Sequence, residues 1–121
     1  MPVERLSKTA LQKILKGSVK EEVTCVIKFY SNECHLCHNL QEYYKDISDE
    51  LGFSDVHFFA FNIDDYPRAE RILNFSGVPT ISLIKTGGKK PKIRVLQDPE
   101  KPNDITWYKT SDIKKFIEKE R

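Results

Sequence analysis

Sulfur and long apolar runs are both scarce in this chain. It has three cysteines and one methionine in 121 residues, and no stretch approaches the ~20 apolar residues of a membrane-spanning helix. Three cysteines do not make the dense, even-numbered framework of a small secreted scaffold. An excess of charge of one sign is missing too: twenty Lys and Arg against eighteen Asp and Glu leave a formal charge of +2. That is too little to imply nucleic acid or an anionic membrane as partner. One stretch, Lys85, Lys89, Lys90, Lys92 and Arg94, is locally basic. It surrounds Gly87-Gly88 and reads as a hairpin whose lysines protect a sheet edge. Met1–Arg5 has no apolar leader, so a soluble, cytoplasmic protein is expected.

What remains is an ordinary globular composition, 39% hydrophobic and 31% charged, of a length that suits one domain over residues 1–121. Val3–Leu6 reads as a short strand. A helix follows in which Thr9 and Gln12 offer a capping box and Leu11, Ile14 and Leu15 form the apolar stripe, before Gly17 ends it. Val23–Tyr30 is rich in β-branched and aromatic residues and almost continuously apolar, as a central strand covered on both faces should be. Ser31-Asn32-Glu33 supplies turn and cap chemistry for a helix starting near Cys34 and running toward Gly52.

Val56–Ile63 reads as a second buried strand and Arg68–Phe75 as a short helix behind Pro67. Thr80–Lys85 and Lys92–Leu96 suggest an antiparallel hairpin across the glycines, Asp98–Asp104 a polar loop, and Asp112–Lys119 a closing amphipathic helix with Ser111 as cap. The pattern predicts an α/β sandwich: a mixed central sheet with helices on its faces.

Cys34-His35-Leu36-Cys37 is where the chemistry concentrates. Two thiols one helical turn apart, at the N-terminus of a helix leaving the central strand, favour a thiolate at the first and allow a disulfide to the second. The same spacing suits metal ligands. Zinc held by Cys34, Cys37 and two of His35, His38 and His57 is an alternative, though no second Cys-x-x-Cys or His-x-x-x-His completes a set. Cys34-x-x-Cys37-His38 also matches a c-type haem attachment signature, but the only methionine is Met1. No metal and no cofactor other than the Cys34–Cys37 pair is expected. Cys25, inside the central strand, reads as a small buried hydrophobe.

Taken together, Val26–Tyr30 before Cys34-His35-Leu36-Cys37, then Phe61-Asn62-Ile63-Asp64, then Gly77-Val78-Pro79-Thr80, resemble the thioredoxin family across most of the chain. The resemblance implies a thioredoxin-like fold and a protein-disulfide oxidoreductase, with Cys34 as attacking thiol and Cys37 as resolving thiol. It implies that Pro79 is cis and that Val78, Pro79 and Thr80 meet an extended substrate segment. Protein disulfide substrates and a recycling reductase or oxidase would be the partners, and a monomer is expected.

Several positions depart from the family pattern. Glu33 replaces a tryptophan, and His35-Leu36 replaces Gly-Pro, which removes a stiffening proline and adds an imidazole beside the attacking sulfur. A protonated His35 would favour the thiolate and make the couple more oxidising. Lys28 aligns with a buried aspartate of the family, and Ala60 with the lysine paired to it. The expectation is that Lys28 snorkels outward or pairs with an acid, leaving water as proton acceptor and slowing reduction of bulky substrates. The main competing function is a binding module that keeps the fold with weak catalysis and holds a partner near Cys34, Val78 and Pro79 and along the Asp98–Trp107 loop, with Trp107 and Tyr108 as anchors or, as the simpler reading, as cover for the core edge.

Overall fold

The structure, a computed structural model, describes residues 3–121; Met1 and Pro2, the start of the segment read for a leader, lie outside it. Five strands and four α-helices follow one another as β1 (Glu4–Arg5), α1 (Lys8–Leu15), β2 (Thr24–Tyr30), α2 (His35–Ser48), β3 (Val56–Asn62), α3 (Ala69–Leu73), β4 (Thr80–Lys85), β5 (Lys92–Val95) and α4 (Thr110–Glu120). The sheet order is β1-β3-β2-β4-β5. β2 runs parallel to β3 and antiparallel to β4, with Lys28 opposite Ala60 on one side and Ile81 on the other. This is the mixed sheet expected from the sequence, with helices on both faces. Among the described residues no helix is long and apolar enough to cross a membrane.

The apolar run of β2 is explained by its central place. Val26 faces a core with Leu40, Tyr44 and Ile47 of α2 and Ile113 and Ile117 of α4. Ile27 and Phe29 face the other core, with Leu11 and Ile14 of α1 and Ala69 and Leu73 of α3. Full burial of a side chain such as Leu40 or Ile47 contributes about 1.5–3 kcal/mol, so packing rather than helix propensity fixes α2 on the sheet. Tyr44 adds a polar pin. Its hydroxyl lies 3.0 Å from the Val26 carbonyl and 2.7 Å from that of Phe59, which ties α2 to β2 and β3.

Two helix starts differ from the sequence reading. The α1 cap is Ser7, whose hydroxyl accepts from the Ala10 N–H at 3.1 Å, and Thr9 lies inside the helix. In α4 the helix begins at Thr110, and the Asp112 carboxylate accepts from the Lys109 N–H at 3.3 Å, so Ser111 is not the cap. The α2 helix stops at Ser48, short of Gly52, and the remaining helix boundaries move by a residue or two, as expected where end turns fray.

Candidate active site

The chain leaves the carboxyl end of β2 at Tyr30, turns through Ser31–Glu33, and enters α2 with Cys34 itself as the N-cap residue. Cys34 and Cys37 are joined in a disulfide with their Cα atoms 5.2 Å apart. The Cys37 N–H donates to Cys34 Sγ at 3.1 Å, so the cap position is filled by sulfur rather than by the preceding turn residues. The two sulfurs are not equivalent: Cys34 is half-buried, whereas Cys37 is 2% exposed. Once the bond opens, charge on Cys34 is met by that N–H and by the positive end of a 14-residue helix, both of which favour a thiolate.

Opposite the disulfide lies the loop before β4. Cys34 Sγ is 3.7 Å from the Val78 carbonyl oxygen, and the Val78–Pro79 peptide bond is cis. The loop is held from behind. Gly77, at φ +86, donates its N–H to a Glu70 carboxylate oxygen at 2.9 Å, and the buried Thr80 hydroxyl donates to the Gly77 carbonyl at 2.7 Å. Val78 thus presents its carbonyl to the sulfur while its neighbours are tied down. Leu36, Val78, Pro79 and Trp107 line a cleft of about 260 Å³ beside it.

Trp107 reaches that cleft because its loop is locally stapled. The Asn103 side chain accepts from the Ile105 N–H at 2.7 Å, the Asn39 amide donates to the Ile105 carbonyl at 2.9 Å, and the Trp107 indole N–H donates to Asp98 at 3.1 Å. Tyr108 is buried in the core, as the simpler reading expected, while Trp107 both packs on the core and walls the cleft. His35 is exposed at the first helical position, and among the described residues the side-chain hydrogen bonds of Cys34 go to Val78 and Cys37 rather than to the His35 ring.

Lys28 departs from expectation. It neither snorkels outward nor pairs with an acid: it is 4% exposed, and no carboxylate lies within 4.0 Å of it among the described residues. The reason is its place on the central strand, on the α2 face, where both neighbouring strands and the helix enclose it. Its Nζ sits 5.3 Å from the Tyr44 ring centroid and 5.8 Å from that of Tyr30. Burial pushes the ammonium down to about 8.

A supporting contact was invisible in the sequence. The Asn62 amide at the end of β3 donates to Asn32 Oδ1 at 3.0 Å, and Asn62 Oδ1 accepts from the Asp64 N–H at 3.0 Å. Asn32 is in the cysteine turn, so the strand end and that turn are fixed to each other. The zinc set does not assemble: His57, the β3 register partner of Cys25, lies at the opposite end of the sheet from Cys34. Among the described residues no group of three or more His, Cys, Asp or Glu side chains is placed to hold a metal ion. Cys25 is buried and free, with its thiol pushed up to about 11 by burial.

A disulfide at the N-terminus of the helix that follows the central strand, facing a proline loop, defines a thiol–disulfide oxidoreductase in general terms. The thioredoxin family profile matches residues 3–119, and the chain belongs to the thioredoxin family. Solved structures agree on the fold. The thioredoxin Mala s 13 of Malassezia sympodialis superposes with a TM-score of 0.67 at 18% identity, covering 97% of this chain and 89% of that one. Thioredoxin O2 of Arabidopsis thaliana in its oxidized state gives 0.65 at 21%, covering 97% and 91%. A chloroplastic thioredoxin z gives 0.65 at 19%, covering 98% and 94%. No curated protein sequence matches the chain significantly.

Proposed function

We propose that the protein exchanges its Cys34–Cys37 dithiol with disulfides of protein substrates. The observation that carries this reading is the asymmetry of the pair, with an accessible Cys34 sulfur that accepts an N–H bond and a buried Cys37 one turn behind it. In the reducing direction the Cys34 thiolate attacks a substrate sulfur, forming a mixed disulfide and releasing one substrate thiolate. The Cys37 thiolate then attacks Cys34 Sγ, which releases the second substrate thiolate and leaves the Cys34–Cys37 disulfide. A recycling reductase returns the two electrons; an oxidase would drive the cycle the other way.

The Val78 backbone, 3.7 Å from Cys34 Sγ at its carbonyl, suits pairing with an extended substrate segment, with Pro79 beneath it. Thr80 contributes by tying down Gly77, and Leu36 with Trp107 supplies apolar walls. Lys28 and His35 act as tuning groups, Lys28 through its charge beneath the pair. The free, buried Cys25 suits a reducing compartment such as the cytoplasm.

Trapping tests the assignment. Cys37→Ser, incubated with a disulfide-bonded model protein, should accumulate a covalent adduct on Cys34, seen by non-reducing electrophoresis and mass spectrometry. Cys34→Ser should give none, because Cys37 is buried. Trapping by neither variant would leave a binding module without exchange chemistry, and equal trapping by both would overturn the roles given to Cys34 and Cys37.

A further inference from the structure

Behind the disulfide, between α2 and the strands β2 and β3, lies a cavity of about 500 Å³. Its volume is within the roughly 300–1,000 Å³ range of small-molecule pockets. Lys28, Tyr44 and Ala60 line it together with Cys37, and Arg5, His38 and Lys45 also contribute to its wall. Ala60 stands opposite Lys28 in the strand register, so a methyl group faces the lysine where a longer side chain would take up space.

The charge of this wall is one-sided. Arg5, Lys28 and Lys45 are cationic and His38 is an imidazole; the acidic member is Asp49, an exposed residue just past α2. Arg5 has a partner in Asp65 at 3.6 Å, but both are exposed, and such pairs are weak. Lys28 has none. Its ammonium is enclosed between two aromatic rings, whose faces attract a cation but satisfy few of its three N–H donors. An enclosed charge without an acceptor is costly. The same ammonium beside a cavity with further cations in its wall is a seat for a negative ligand.

We propose that this cavity binds a small oxyanion, a carboxylate or a phosphate, seated on the Lys28 ammonium with Arg5 and Lys45 completing the charge around it. A small ligand is required, because Lys28 is 96% enclosed by the fold and a folded partner cannot reach it. Cys34 and Cys37 both border this cavity, whereas Val78 and Pro79 line the other cleft.

The oxidised, full-length chain is titrated with inorganic phosphate and, separately, with succinate at constant ionic strength, following backbone amide shifts. Saturable one-to-one binding of at least one anion is expected, with the largest shifts at Ala60, Cys37 and Lys28. Binding of phosphate alone identifies a phosphate site, and of succinate alone a carboxylate site. Lys28→Met should weaken the affinity by about tenfold or more, whereas Lys89→Ala, on the distant hairpin, should leave it unchanged. If Lys28→Met does not fold, Lys28→Gln takes its place with the same expectation. No saturation with either anion, or equal affinity in the folded Lys28 variant, overturns the proposal. Because the protein stays oxidised throughout, neither result bears on thiol–disulfide exchange.

Discussion

The side-chain amide of Asn62 donates to the side-chain oxygen of Asn32 at 3.0 Å, joining the carboxyl end of β3 to the turn from which Cys34 departs. Cys34 owes its position to two strands rather than one. The buried Asn62 also accepts from the Asp64 N–H, so its amide group is used at both ends.

Replacing Asn62 with Ala removes both bonds and leaves the Asp64 N–H without its side-chain acceptor. Two lost hydrogen bonds of this kind cost about 1–3 kcal/mol in all, which urea denaturation of the oxidised protein should show. Turnover of a disulfide substrate should fall as well, because the attacking sulfur sits on the loosened turn. Unchanged stability would mean that water replaces Asn62 at no cost and that the contact is incidental.

Lys28 gives stability an unusual pH dependence. Burial lowers its ammonium from 10.5 to about 8. Between those values the unfolded chain holds a proton that the folded chain has lost, so the unfolded state binds more protons and stability rises with pH. The penalty is present in full below pH 8 and is relieved as pH approaches 10.5, by up to about 3 kcal/mol. Lys28→Met should be more stable than the parent at pH 7 and should lack this rise. The difference between the two proteins in denaturant midpoint, measured from pH 7 to 10.5, isolates Lys28 from the other titrating groups. A difference that stays flat with pH would show that Lys28 keeps an ordinary pKa.

Cys25 should be inert in the native state. It is 3% exposed and its thiol is pushed up to about 11, so both access and thiolate are lacking at pH 8. Iodoacetamide should add nothing to the native oxidised protein and one group after denaturation, as counted by mass spectrometry. An adduct on the native protein would show that β2 opens readily.

The layout of the fold was legible because β2 is buried on both faces and β3 largely so, and both carry the apolar runs that burial requires, while Gly87-Gly88 marks the hairpin. The cysteine helix was legible for the same reason: Leu40, Tyr44 and Ile47 recur at helical spacing after a turn. Caps were harder to read. Thr9 and Gln12 match a capping pattern, yet Ser7 is the residue whose hydroxyl faces the free N–H of Ala10. Lys28 was misread because a lysine in a strand ordinarily reaches solvent, and what prevents it here is the enclosing arrangement of α2, β3 and β4 around β2. The Asn32–Asn62 bond joins positions thirty residues apart, with no local signal to announce it.

The reduction potential of the Cys34–Cys37 pair tests the central claim most directly. The purified protein is equilibrated in graded thiol buffers and its free thiols are counted by mass spectrometry. A reversible two-electron couple between about −270 and −120 mV is expected. Lys28→Met should shift it in the negative direction, on the order of 30 mV, because a cation beneath the pair stabilises the thiolate of the reduced form. A pair that forms no disulfide at any poise would contradict the account and leave the fold as a binding module.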